Sequence, residues 1–154
     1  MPACVQALAA VHAADRYPAN WPTDPRRWLT PDGSLGAWVA TDGAAVLGHV
    51  SLARPGPALA DVVGVPAAEL AEVARLFVGV SARRGGLARD LLAHAAQMAI
   101  GDRLQPVLEV ESGAIGAIAL YERTGWRFVG SSVADWRTAD GQPAVVRIYI
   151  GPSS

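Results

Sequence analysis

A single α/β domain with a partly antiparallel sheet is the fold this sequence predicts, and three observations carry the prediction. Alternating segments at 35–41 and 45–53 flank Asp42-Gly43, a dipeptide favoured in tight hairpins because their central residues need positive φ. The apolar run L-F-V-G-V (76–80) enters a Gly-containing loop that opens an amphipathic helix, and a second strand–helix pair follows at 106–123. Finally, two apolar segments flank T-A-D-G-Q-P and predict a long hairpin turning at Asp140-Gly141. One mixed layer of sheet covered by helices accommodates this order.

Residues 2–14 predict a helix, with Val5, Leu8 and Val11 in register. Prolines interrupt 15–33 and forbid a regular element through most of it, while Tyr17, Trp21 and Trp28 make it unlike a flexible linker. Its aromatics pack on the domain or line a ligand pocket. After the first hairpin comes a loop with Pro55 and Pro57, and then P-A-A-E-L-A-E-V-A (66–74), expected as a short helix or turn before a strand over 75–80. The helix from about 87 to 100 is expected to bury Leu87, Leu91, Ala95 and Met98 on one side and to show Asp90, His94 and Gln97 on another. A strand at 106–111 and a helix at 114–123, stopped by Thr124-Gly125, precede the last hairpin. No repeat or composition break divides the 154 residues, so one domain over 1–154 is expected.

Composition excludes several function classes. The formal net charge of -1 supplies no field for nucleic acid or an anionic membrane. All 13 basic residues are arginine, and no lysine exists to serve a Walker-type phosphate loop. Cys4 is alone, so no internal disulfide forms, and His12, His49 and His94 are far apart in sequence, so no metal site is expected. No apolar run approaches the ~20 residues that span a bilayer, and no basic residue precedes Arg16 as in a signal peptide. A cytoplasmic location follows as the expectation.

The segment S-A-R-R-G-G-L-A-R-D (81–90) carries the main chemical question. A strand ending in a Gly loop that opens a helix is a general anion site, because unpaired N–H groups and the helix dipole both favour negative charge. Gly85 and Gly86 permit close approach, and Arg83 and Arg84 add charge-assisted contacts. On these residues alone, a polar turn that merely caps the helix is as good a description.

The spacing R83-R-G-G86-L-A88 resembles the [QR]-x-x-G-x-[GA] loop of the GNAT N-acetyltransferase superfamily, after the expected strand and before the expected Leu-Leu helix. A second block, L108-E-V-E-S-G-A-I-G-A-I-A-L-Y121-E-R-T-G-W126, is similar to that family's strand–helix segment ending L-Y-E-x-x-G-[FW]. The resemblance covers about 35–150 and is strongest over 75–130. It implies a central, mostly antiparallel twisted sheet flanked by helices, with a strand–loop–helix CoA site and a C-terminal hairpin. It further implies acetyl-CoA as co-substrate, with direct attack of a primary amine on the thioester and no metal.

The cofactor arm would then lie against main-chain groups of Phe77, Val78 and Val80. Its pyrophosphate would meet the amides of Arg84, Gly85, Gly86, Leu87, Ala88 and Arg89, with Arg83 at the rim. Tyr121 matches the family's helix tyrosine, the general acid for the departing thiolate; without the resemblance it is a core tyrosine with a wet tip. Glu109 matches the base of the branch that acetylates protein N-terminal amines, and otherwise is a strand-end carboxylate facing solvent. Glu72 and Glu111 compete for the base role, as does a water relay.

Two departures stand out. Ala114 occupies the place of a cofactor-contacting Asn, which keeps a catalytically inactive CoA-binding regulatory module as the alternative function. The family's first strand also precedes its first helix, so here it is either missing or formed irregularly by residues 2–7; a homodimer through the sheet edge stays open. Acceptor choice is expected in the 15–33 loop, the 54–60 loop and the final hairpin. Trp21, Trp28 and Trp38, with Asp24 and Asp32, are the candidate lining for a small-molecule or peptide amine.

Overall fold

The computed structural model describes residues 2–15, 21–29, 33–79, 82, 85–138 and 140–152. Helix α1 (Pro2–Asp15) and a short α2 (Pro25–Leu29) precede the hairpin β1 (Ser34–Asp42) and β2 (Ala45–Ala53). Then come α3 (Pro57–Val63), β3 (Leu70–Val78), α4 (Leu87–Gly101), β4 (Gln105–Glu111), α5 (Ile115–Arg123), and the hairpin β5 (Arg127–Arg137) and β6 (Pro143–Ile150). The described strands form one six-stranded sheet in the order β1-β2-β3-β4-β6-β5. Every pairing is antiparallel except that of β3 with β4.

Alternation along the strands divides the core between two faces. On one face, Val50, Leu52, Ala71, Val73, Leu108, Val110 and Tyr149 pack against Leu91, Leu92, Ala95 and Ala99 of α4 and Tyr121 of α5. On the other, Phe77 packs with Cys4, Leu8 and Val11 of α1 and Leu29 of α2. Leu70, Val107 and Ile148 meet Leu59 and Ala60 of α3 there. The residues 2–15 are helical throughout, so they supply no first strand.

Four local expectations are corrected. Met98, expected on the buried side of α4, is 41% exposed, and Leu92, Ala96 and Ala99 fill that side with Leu91 and Ala95. The segment 66–74 forms only a 3-10 turn at Ala67–Glu69, and β3 begins at Leu70. Leu70 and Ala71 are both fully buried, on opposite faces, because this strand is covered on both sides. Burial on both faces erases the period-two pattern and leaves alanines and glutamates that suit a helix. Within 15–33, α2 is capped by the Asp24 carboxylate, which accepts from Arg27 N at 3.2 Å, with Pro25 at its first position. Likewise α3 starts at Pro57 and ends at Gly64, whose φ of 79° supplies the left-handed C-cap. Prolines that read as loop signals here begin helices.

Because Leu70 is wholly buried in the strand, Leu70→Ala is expected to lower unfolding stability by about 2–5 kcal/mol. Urea denaturation measures it; an exposed helical leucine at 70 would cost well under half of that.

Candidate functional site

The parallel pairing of β3 with β4 is short. It runs Leu70 with Gln105, Ala71 with Pro106 and Glu72 with Val107, and the ladder stops there although β3 continues to Val78 and β4 to Glu111. On its other side β3 stays paired to β2, with an irregularity: Ser51 faces Ala74 and His49 faces Phe77, so two steps of β2 span three of β3. The extra residue is a β-bulge, and Arg75 within it has a φ of 55°. A left-handed conformation at a non-glycine costs roughly 1–2 kcal/mol. Bulged against β2 and beyond the end of the β4 ladder, the C-terminal half of β3 parts from β4.

That parting ends at the loop before α4. Gly86 is the N-cap of α4 with a φ of 76°, and the Asp90 amide closes the first turn onto its carbonyl at 3.0 Å. The amides of Leu87, Ala88 and Arg89 have no intrahelical acceptor. They border a cleft of about 310 Å³ lined by Val78, Ala82, Gly86, Leu87, Ala88, Arg89, Gly116, Leu120 and Arg123. Five expected cofactor contacts thus meet in one cleft: Val78, Gly86, Leu87, Ala88 and Arg89. Gly85 is exposed outside it, and the Phe77 side chain turns into the α1 core instead, leaving only its main chain for such a contact. Val80, Arg83 and Arg84 lie outside the described residues. The α5 contributions, Gly116, Leu120 and Arg123, lie within the second sequence block, which assigned a role to Tyr121 and none to them.

The candidate proton-transfer residues fall on opposite faces of the sheet. Tyr121, on α5, is buried in the α4-side core with its ring centroid 6.3 Å from Trp126 and 6.2 Å from Tyr149. Tyr149 Oη in turn donates to Glu122 Oε2 at 2.8 Å, which ties α5 to β6. Glu72 is paired with Val107 and shares its parity with Leu70, which places it on the α1–α3 side at the last rung before the strands part. Glu109 and Glu111 follow Val107 on that face of β4; Glu109 is exposed and Glu111 half-buried. Burial first, and then the charge of Glu109, push the Glu72 carboxyl up to about 7 against the pull of Arg75. That value places the Glu72 carboxyl near neutral pH.

The α1–α3 side also holds Trp28, Arg75, His49 and Phe77. Arg75 stacks over the Trp28 ring at 4.2 Å to the centroid, and its Nε donates to the Trp28 carbonyl at 3.0 Å. His49 stacks on Phe77 at 5.4 Å and donates from Nδ1 to the Arg75 carbonyl at 2.8 Å. Burial keeps its imidazole below the ordinary pKa, outweighing that bond, with the Arg75 charge acting in the same direction. The expected tryptophan group does not assemble as one lining. Trp38 lies on the α4 face, edge-on to His94 at 5.2 Å, whereas Trp21 meets His12 of α1 at 5.3 Å. Tyr17 and Asp32 lie outside the described residues. Among the described residues no His, Cys, Asp or Glu cluster could hold a metal, and no helix is long and apolar enough to cross a membrane.

Residues 6–126 match a family model described as acetyltransferase (GNAT) family. No curated protein sequence matches the chain. Solved structures of the same fold include Arabidopsis thaliana NAA60 in complex with acetyl-CoA, at 17% identity and a TM-score of 0.70 over 94% of this chain and 92% of that one. The ribosomal-protein-S18-alanine N-acetyltransferase of Escherichia coli superposes with a TM-score of 0.69 at 20% identity, over 99% and 89%. The ribosomal-protein-alanine N-acetyltransferase of Brucella melitensis gives 0.70 at 21%, over 96% and 91%. At these identities the likeness is one of fold.

Glu72 makes stability depend on pH with a definite sign. Its folded pKa of about 7 lies above the ordinary 4.5, so between these values the folded state binds more protons and stability falls as pH rises. Glu72→Gln removes a buried charge that exists only at the upper end. Its melting temperature should exceed that of the wild type at pH 8, with the gap closing by pH 4.5; a gap constant with pH would contradict the burial of this carboxyl.

Proposed function

Because the chain belongs to the GNAT family of acetyltransferases, we propose that it is a single-domain enzyme over 1–154 that moves an acetyl group from acetyl-CoA to a primary amine. In this reading 75–130 is the acetyl-CoA-binding core and 15–33 lies on the acceptor side. The observation that carries it is the parting of β3 from β4 next to an uncapped helix start. The cleft there suits the chemistry of the ligand. Val78, Leu87 and Leu120 offer apolar surface to an extended arm, while the first-turn amides of α4, with Arg89 and Arg123, offer donors to a pyrophosphate. Arabidopsis thaliana NAA60 has been solved with acetyl-CoA and with a bisubstrate analogue, which supports the same ligand here.

Bound acetyl-CoA supplies the activated thioester; the residues supply position and proton transfer. An amine arriving from the α1–α3 side meets Glu72 and Glu109, whose negative charge attracts an ammonium. Glu72 takes the proton, since its pKa near 7 matches the working pH, and Glu109 holds that pKa up. Glu109 is the second candidate base. From the opposite face, the Tyr121 hydroxyl gives a proton to the leaving sulfur. The parted strands are where the two faces communicate, so acid and base act on one reacting centre from two sides.

The reading is tested by thiol release from acetyl-CoA across a panel of amino acids, polyamines, aminoglycosides and peptide N-termini. Release with none of them, while acetyl-CoA still binds, would favour a binding module. Gly86→Glu places a carboxylate beside the phosphates at a left-handed position, with its Cβ about 3.1 Å from Arg89 Nη2. Acetyl-CoA affinity by calorimetry should fall at least about 100-fold; unaltered affinity would remove the loop assignment.

Tyr121→Phe should lower kcat about 100-fold or more with little change in KM for acetyl-CoA. The profile of kcat/KM against pH should rise through an apparent pKa of about 7 and lose that limb in Glu72→Gln. Loss of the limb in Glu109→Gln alone would move the base to Glu109.

A further inference from the structure

Arg75 is an unusual occupant of its position. A bulge residue at φ 55° is where glycine is favoured, yet a long cationic side chain stands there. Its Nε is committed to the Trp28 carbonyl, and the guanidinium carbon sits over the Trp28 ring, 4.2 Å from its centroid. The side chain is thereby fixed, while no hydrogen bond or ion pair engages its two terminal nitrogens among the described residues. The charge is close enough to Glu72 and to His49 to act on both. A rigid, unengaged guanidinium fork beside the carboxylates expected to receive the amine is a two-point site: one part attracts an ammonium, the other a planar anion.

We propose that Arg75 selects acceptors that carry a carboxylate on the same short skeleton as the amine, and hence that the substrate class is the amino acids. The carboxylate pairs with the terminal nitrogens of Arg75 and the amine is directed toward Glu72 and Glu109. This rests on the acetyl-transfer reading of the same site and adds the acceptor class. A simple amine or an amino-acid amide meets only half of the site. Trp28 acts as a positioning residue, since its ring and carbonyl fix the fork. The strain at Arg75 has a use in this account, because the bulge aims the side chain at the acceptor face.

The experiment compares matched sets, each an amino acid, its primary amide and the amine lacking the carboxyl group, with apolar, polar and acidic side chains represented. Two readouts are taken: thiol release from acetyl-CoA, and thermal stabilisation of the CoA-bound protein by each compound. The acid of the preferred set should exceed its amide in kcat/KM by about 10- to 100-fold, the range of a charge-assisted bidentate contact. Arg75→Gly, which suits the backbone at this position, should abolish the advantage of the acid over its amide, bringing the acid-to-amide ratio of kcat/KM to about one.

Amides equal to acids in the wild type would overturn the proposal. So would an Arg75→Gly variant that lowers both members equally, because the residue would then serve only to hold α2. If no compound releases thiol, the acetyl-transfer reading fails; the stabilisation readout still decides on Arg75, which requires protection by the acid, none by the amide, and loss of the difference in Arg75→Gly.

Discussion

The structure depends on where one ladder of hydrogen bonds stops. β3 and β4 are parallel neighbours for three residue pairs and then part, while β2 and β6 continue to hold them on their outer sides. Backbone donors and acceptors left at such a gap need partners, and a sheet interior usually supplies them. Here the gap lies beside a bulge that lengthens β3 against β2 and begins past Glu72, the residue at the last rung. An extended, amide-bearing ligand is the natural third strand for it. The Gly86 turn then aims the start of α4 at whatever emerges from the gap.

The same break reconciles the positions of the polar residues. A continuous sheet would isolate Tyr121, in the α4–α5 layer, from Glu72 and Glu109 on the α1–α3 side. The ladder between β3 and β4 ends between those two layers, at the rung that carries Glu72. Burial then differentiates the carboxylates: Glu72, at the closed end of the gap, is raised to about 7, while Glu109 stands exposed and contributes its charge. Tyr121 is flanked by the rings of Trp126 and Tyr149, and Tyr149 of β6 donates in turn to Glu122 of α5.

Much of the fold was legible because its punctuation is strong. Asp42-Gly43 and Asp140-Gly141 marked both hairpins, and the apolar rhythm of 87–100 marked α4. The loop spacing and the L-Y-E-R-T-G-W block pointed to the cleft, where Val78, Gly86, Leu87, Ala88 and Arg89 meet. Legibility failed where local signals serve tertiary ends. The start of β3 reads as a helix because both faces of it are buried, and Pro25 and Pro57 read as loop residues although each opens a helix. The family resemblance singled out Glu109, with Glu72 and Glu111 as competitors, and could not show that Glu72 is the more buried, since a motif reports position along the chain and not depth. Arg75 carried no signal at all: its role arises from a bulge, and a bulge is a property of the pairing between two strands rather than of either one.

Amide hydrogen exchange with and without acetyl-CoA tests the central claim most directly, because it reads the backbone beyond the end of the β3–β4 ladder. Saturating acetyl-CoA should slow exchange at the amides of the C-terminal half of β3 and of Leu87, Ala88 and Arg89, and leave the β5–β6 hairpin unchanged. Protection confined to other segments, or absent while acetyl-CoA is bound, would contradict the account.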